Sequence, residues 1–427
     1  MQRHVPKGSR MTLMATNELQ VILLAPDGGR RAVEEVLTLS QSSGEPFSDT
    51  RQRALAQLSR AILQDTTLRA DPASVAVGYW LRKSNIERLA ADFERRKEAA
   101  ANTVLVPVGR VFHVAPGNVD TVFLYSWVLS YLCGNQNIVR VSGERSEILN
   151  RLLAVLCSLM KEDAELAGGN RFMTYEHDEA INEALSQWAT HRVLWGGDES
   201  VSRLRAVPLS PHASERTFGS KFSYCVLSAD AYLDASPRDV SQLASGFYND
   251  IFWFDQMACS SPHLFIWVGS AQRTEQALDR FHTVLATEIE RRGHRGASSN
   301  AVHRLNYLFN LACETDLLAN LAQREFLSVR LADGEVWRKE ICGAGFLVHV
   351  RADDLPQVAQ FAGQQDQTVT HFGFSRNELF DLARVVGARG VDRLVPVGEA
   401  LSFDTTWDGY DLIGDFVRHV SVRMSST

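Results

Sequence analysis

Short runs of β-branched and aromatic residues alternate with longer helical runs through most of this chain. That alternation limits its fold more than any other feature. "VFHVA", "NIVRVS", "RFMTYE" and "HRVLWG" read as strands, and "DTVFLYSWVLSYLCG" and "SEILNRLLAVLCSLMKEDAEL" between them read as helices. Strands separated by helices of this length need crossover connections, which build a largely parallel sheet. A second block repeats the pattern, with "SYCVLS", "HLFIWVG", "GFLVHV" and "TVTHFGF" as strands and "SAQRTEQALDRFHTVLATEIERRG" as a long helix. Residues 54–100 precede both blocks. There, in "RALAQLSRAILQD" and "VAVGYWLRKSNIERLAADFERRKEAA", apolar residues recur at three- and four-residue steps, a helical pattern. The tail, "RLVPVGEALSFDTTWDGYDLIGDFVRHVSVR", closes on alternation suited to a terminal strand. Residues 1–53 contain the Ser/Gly/Pro-rich "LSQSSGEPFSDT" and read as a flexible lead-in.

A chain of 427 residues exceeds one simple core, so two or three domains of roughly 150 residues are expected. Its 44 Lys and Arg against 51 Asp and Glu leave no basic surplus, which argues against a nucleic-acid partner. No apolar stretch reaches the roughly 18 residues of a membrane span. The start, "MQRHVPKGSRMTLMATNE", has no apolar core and is not a secretory signal; Met11 or Met14 is an alternative first residue. Six cysteines in this length are no disulfide scaffold. Cys133, Cys157, Cys225, Cys313 and Cys342 sit among apolar neighbours and read as buried thiols in a reducing cytoplasm. No C-x-x-C or His-rich spacing proposes a metal site.

The sixth cysteine is different. In "FWFDQMACSSPHLFIWVG", Cys259 follows a polar pair and precedes a Ser-Ser-Pro turn at the mouth of a strand. Taken alone, it is either buried filler or a placed nucleophile. Asn118 lies at a strand-to-helix junction in "VAPGNV", where an amide either caps a helix or donates to a developing oxyanion. In "HRVLWGGDESV", Gly196 and Gly197 form either a plain turn or a phosphate-facing helix start. Gly219-Ser220-Lys221 is, alone, a turn.

Taken in order, "VAPGNV", "CGNQNIVRVS", "VLWGGDESV", "FGSKFSYCVLSADAYLD", "FDQMACSSP" and "VDRLVPVGEALSFDTTWDGYDL" resemble the aldehyde dehydrogenase superfamily from about Ala54 to the end. "DQMACSSP" and "WDGYDL" are most similar to the long-chain fatty acyl-CoA reductases of bacterial luciferase operons, the LuxC type. The resemblance implies an α/β, aldehyde dehydrogenase-like fold. A Rossmann-like cofactor domain would span 54–222 and regain 400–427, and a catalytic domain would span 223–399. The C-terminal strand would join a subunit contact in a homo-oligomer. The resemblance makes Cys259 the acyl-accepting nucleophile and Asn118 an oxyanion donor beside the Cys259 N–H. It places Gly196 and Gly197 on the cofactor pyrophosphate, Arg140 and Ser142 at the adenosine ribose, and Glu340 at the nicotinamide ribose. Arg140, Ser142 and Arg145 cluster there, and arginine pairs well with a phosphate, so NADPH is the expected cofactor.

Hydrolytic relatives hold a water-activating glutamate where this chain has Thr217, which suits a reductase whose acyl-enzyme waits for hydride. The implied reaction reduces a fatty acyl thioester, brought as acyl-CoA or by a partner acyl-protein synthetase, to the aldehyde. An aldehyde-oxidising enzyme and a non-catalytic scaffold subunit remain as rivals. His263 either tunes the thiolate or is a strand residue facing away.

Overall fold

The computed structural model of the chain describes residues 19–40, 44–100, 102–333, 335, 337 and 341–424. Glu340, Met11 and Met14 lie outside the described residues. The first half contributes β1 (Gln20–Ala25), β2 (Gly29–Ala32), β3 (Thr103–Pro107), β4 (Arg110–Val114), β5 (Gln136–Arg140), β6 (Asn170–Thr174), β7 (His191–Trp195) and β8 (Ser214–Phe218). All but β3 join one seven-stranded sheet, ordered β2-β1-β6-β5-β4-β7-β8. Its β6-β5-β4-β7-β8 portion is parallel, as the crossovers require. The chain leaves β4 toward β5 and β6, then returns to β7 on the other flank of β4. The strand order therefore reverses between β4 and β7, which opens a crevice outside their carboxyl ends.

The second half forms another seven-stranded sheet. Its strands are β9 (Phe222–Ser228), β10 (Leu264–Val268), β11 (Leu317–Ala322), β12 (Leu327–Leu331), β13 (Phe346–Ala352), β14 (Asp366–Phe372) and β15 (Arg393–Pro396), ordered β11-β12-β13-β10-β9-β14-β15. Only the β11–β12 pair is antiparallel. β8 ends at the carboxyl edge of the first sheet and Gly219–Lys221 leads straight into β9. The carboxyl edge of one sheet thus faces the amino edge of the other across three residues. The tail adds the short pair β16 (Thr406–Trp407) and β17 (Tyr410–Asp411), then β18 (Val417–Ser421), which pairs antiparallel with β3.

Helix Val122–Leu132 is buried at every residue from Phe123 onward. Its sequence is apolar all round, the mark of a helix enclosed on all sides. Leu58, Ile62 and Leu89 from the preceding helices pack into its cluster, and so do Leu412, Ile413, Phe416 and Val417 from the tail. Among the described residues no helix is long and apolar enough to cross a membrane.

Two expectations are corrected, and a third is refined. Residues 20–36 are not a flexible lead-in. β1 alternates exposed and buried residues, and Val21 and Leu23 pack with Val33, Val36, Phe112 and Met173. That alternation is too short to stand out beside the Gly- and Ser-rich stretch that follows. The helical pattern over 75–100 is present, as two helices, Pro72–Trp80 and Lys83–Ala99, with a break at Arg82, where the backbone is extended. Cys313 is exposed, not buried. Its helix, Ser298–Glu314, buries only Arg304 and Leu311, so apolar neighbours in sequence did not mean a core position.

Candidate active site

The crevice between the two sheets holds a cavity of about 440 Å3. Asn118 from the loop after β4, Gly196 and Gly197 from the loop after β7, and Cys259 from the loop before β10 all line it. Segments more than a hundred residues apart converge here because loops at strand ends meet where the strand order reverses. Met257, Phe218 and Ile341 give it an apolar wall, and Phe218 stacks on Trp195 at 3.8 Å between ring centroids.

The Cys259 loop is held from three sides. Asp255 and Gln256 both have left-handed backbone, with φ of 48° and 61°, a conformation unusual outside glycine and suited to a forced, sharp turn. The fully buried Gln256 amide stitches that turn: its Nε2 donates to Pro262 O (2.8 Å) and Phe346 O (3.2 Å), and its Oε1 accepts from Gly345 N (3.1 Å). The Cys259 carbonyl accepts from Ser223 Oγ at 2.7 Å, and that hydroxyl in turn accepts from Thr368 N. Gly343, at φ +66°, passes so close that a Cβ there would stand 2.4 Å from Met257 Sδ. The Cys259 thiol is half-buried. Burial pushes it up to about 11, and the nearby Asp408 carboxylate adds to that; a hydrogen bond from Gln367, the Arg393 charge and its own backbone N–H pull the other way.

Asn118 does not cap the helix that follows it. That helix begins at Val122 with Thr121 at its N-cap, and the Asn118 Nδ2 instead donates to Met257 O at 3.4 Å, across the cavity mouth beside Cys259. Arg140 lines a neighbouring pocket of about 510 Å3 with His177, Ser200 and Arg203. Its guanidinium lies over the Tyr175 ring at 4.7 Å, donates from Nη2 to Tyr175 O, and leaves Nε buried without a partner. An unpaired buried donor beside a second arginine suits an anionic ligand group.

Helix Asp198–Arg205, which starts at Gly197, carries Asp198 and Glu199 in its first turn. Those acids oppose a phosphate at that terminus; the cations nearby are Lys221, which lines the cavity, and Arg140 and Arg203, whose pocket is also lined by Asp178, Glu179 and Glu183. Asp198 turns aside, accepting from Ser220 N at 2.7 Å. Gly219 passes close to it: a Cβ there would stand 2.7 Å from the Asp198 carboxylate, which would have to shift.

Other expected residues fall elsewhere. Ser142 sits beside Gly117, 3.4 Å from where a Cβ on that glycine would lie, and lines neither pocket. Arg145 is exposed and also lines neither. Thr217 is on β8, and it is its neighbour Phe218 that faces the cavity. His263 lines the cavity but is buried, and burial holds its imidazole down to about 3, so it stays uncharged beside the thiol. The sequence reading missed Gln367, which touches the Cys259 sulfur, and Asp408, which touches Gln367. For Asp408 the signal was present in "WDGYDL"; for Gln367 there was none.

The chain matches the family model "Acyl-CoA reductase (LuxC)" over residues 31–301 of its 427. It belongs to the LuxC acyl-CoA reductase family. A long-chain acyl-protein thioester reductase from Photorhabdus laumondii is 22% identical over 299 residues, which cover 68% of this chain and 58% of that relative. The match thus spans less than two thirds of the relative's length. Among solved structures, aldehyde dehydrogenase 21 from Physcomitrella patens has a TM-score of 0.63 at 10% identity, covering 96% of both chains. The 1-pyrroline-5-carboxylate dehydrogenase from Thermus with bound NAD has a TM-score of 0.59 at 15% identity, covering 95% of this chain and 90% of that one. At such identities these likenesses speak for the fold alone: the LuxC family member has an aldehyde dehydrogenase fold.

Proposed function

We propose that this LuxC family member reduces a fatty acyl thioester to the aldehyde with NADPH, through an acyl–Cys259 intermediate. The observation that carries the reading is the convergence of Cys259, Asn118 and the Gly196-Gly197 turn on one crevice at the point of strand reversal. The Cys259 thiolate attacks the thioester carbonyl. Asn118 Nδ2 and the Cys259 N–H hold the oxyanion; the donor thiolate leaves and takes up one proton. When bound, the reduced nicotinamide supplies hydride to the acyl carbon. Collapse of the thiohemiacetal frees the aldehyde and returns the Cys259 thiolate. Arg140, in one pocket with Arg203, supports a 2′-phosphate on the adenosine ribose and hence NADPH. Thr217 does not line the cavity, and a hydroxyl is no general base near neutral pH, so this residue activates no water on the acyl-enzyme.

The rest of the reading concerns organisation. Residues 54–222, with 400–427, serve the cofactor, and 223–399 carry the nucleophile. The acyl group comes from acyl-CoA or from a partner acyl-protein synthetase; the Photorhabdus relative's name, long-chain acyl-protein thioester reductase, supports an acyl-protein donor. The enzyme works in the cytoplasm as a homo-oligomer. Intact mass after incubation with a long-chain acyl-CoA, nucleotide omitted, tests the central step. One acyl adduct is expected on the wild type and none on Cys259→Ala, which also loses all acyl-CoA-dependent oxidation of NADPH. An equal adduct on Cys259→Ala, or none on the wild type, refutes the reading.

A further inference from the structure

The Trp407–Leu412 segment carries chemistry that the steps above leave unused. Asp408 is 8% exposed and sits at φ +49°. A buried carboxylate in the left-handed region, lining the same cavity as the nucleophile, is an arrangement that packing alone does not favour. Its Oδ1 accepts from Gln367 Nε2 at 2.6 Å, and its Oδ2 faces Lys221 Nζ at 3.8 Å. The same Gln367 Nε2 donates to Cys259 Sγ at 3.4 Å. Gln367 reaches this place because the β9–β14 register shifts between Asp366 and Val369. Such an irregularity re-aims a side chain out of the regular alternation.

A primary amide has two hydrogens on its nitrogen and only lone pairs on its oxygen, whereas an ionised carboxylate is an acceptor only. Asp408 on the nitrogen side, with Thr368 Oγ1 donating to Gln367 Oε1 at 3.3 Å, therefore sets which end of the amide faces the sulfur. With the carboxylate in place, one nitrogen serves both acceptors. Without it, only the longer 3.3 Å bond from Thr368 Oγ1 keeps the oxygen end from turning toward Cys259 and presenting an acceptor to a thiolate.

We infer that Gln367 is a donor that stabilises the Cys259 thiolate, and that Asp408 is the positioning residue that keeps its amide nitrogen on the sulfur. This rests on Cys259 being the nucleophile. The thiolate is needed twice in each turnover, as attacking group and as leaving group, so one donor serves both steps. The charged groups that bear on the sulfur are Asp408, which raises the thiol, and Arg393, which lowers it; Lys221 lies beyond Asp408 and His263 is uncharged. The charge of Asp408 and its positioning effect thus act in opposite directions, which lets an experiment separate them.

The measurement is the rate of iodoacetamide alkylation at Cys259 in the full-length chain, followed by peptide mass from pH 6.5 to 9.5, with exposed Cys313 as internal reference. Gln367→Ala should slow it on the order of ten- to a hundredfold at pH 8, the worth of one hydrogen bond to a charged group. Asp408→Ala should slow it in the wild-type background. In the Gln367→Ala background the same change should leave the rate unaltered or faster, because only the repelling charge is then removed.

Wild-type alkylation in Gln367→Ala overturns the inference, and so does an equal slowing by Asp408→Ala in both backgrounds. If Asp408→Ala does not fold, the Gln367→Ala rate decides alone. Failure of the underlying reading looks different: the wild type then forms no acyl–Cys259 adduct at all.

Discussion

At the scale of single residues, the site depends on side chains held by long-range contacts rather than by local sequence. Asn118 lies three residues before the N-cap position Thr121, in the loop after β4, and its amide reaches across the cavity mouth to Met257 O. Asn118→Ala should lower kcat on the order of 10²–10³-fold, the usual loss for one oxyanion donor, with nucleotide binding unchanged by fluorescence titration. A loss below about fivefold would leave Asn118 as a loop tether to Met257. Arg140 makes a separate prediction. It lines a pocket shared with Arg203, so Arg140→Ala should reduce kcat/KM for NADPH by about tenfold or more and leave that for NADH nearly unchanged. Equal losses for both nucleotides would remove the phosphate-reading role.

At the scale of elements, the long helix Ala271–Arg292 is tied to helix Pro237–Phe252, which leads into the Cys259 loop. Glu288 makes the tie: Ser245 Oγ donates to it across the helices, and Arg291 and Arg292 donate from the turn that follows. The Arg291 guanidinium and these other donors hold the Glu288 carboxyl down to about 2. A carboxyl lowered in the folded state stabilises it above the ordinary carboxylate pKa, and that stabilisation is lost as pH falls toward 2. Glu288→Gln should therefore cost ~1 kcal/mol at pH 7, a modest figure because its arginine partners are largely in solvent. Urea unfolding should show the difference shrinking below about pH 4. A constant difference from pH 7 to pH 3 would make the tie one of shape rather than charge.

At the scale of the whole molecule, the tail closes the first half. Arg216 on β8 grips Asp415 through two hydrogen bonds of 2.7 Å and lies over Tyr410. Leu412, Ile413, Phe416 and Val417 are buried in the cluster around Trp127. Truncation of large buried side chains costs about 2–5 kcal/mol each, which summed over these residues exceeds the net stability of an ordinary domain. A chain ending at Tyr410 should fail to fold cooperatively, while one ending at Ser421 should unfold at nearly the wild-type temperature by calorimetry. A cooperative, wild-type transition in the shorter chain would show that the tail is an accessory.

The alternation of strands and helices determined, by itself, that this chain builds parallel sheets, since crossovers of that length admit little else. The resemblance carried by the quoted motifs pointed to Cys259, Asn118, Gly196 and Gly197, whereas each residue alone left a buried thiol, a cap or a plain turn open. Only the tertiary structure decided which of them meet. It brought Arg203 and His177 to Arg140, set Ser142 and Arg145 aside, and turned Phe218 rather than Thr217 to the cavity. It also placed Gln367 and Asp408 at the sulfur from positions 108 and 149 residues downstream of Cys259. Periodicity tells how a segment is buried, not what lies across a crevice; that contact depends on strand order and on a register shift in β14, and neither leaves a trace in local sequence.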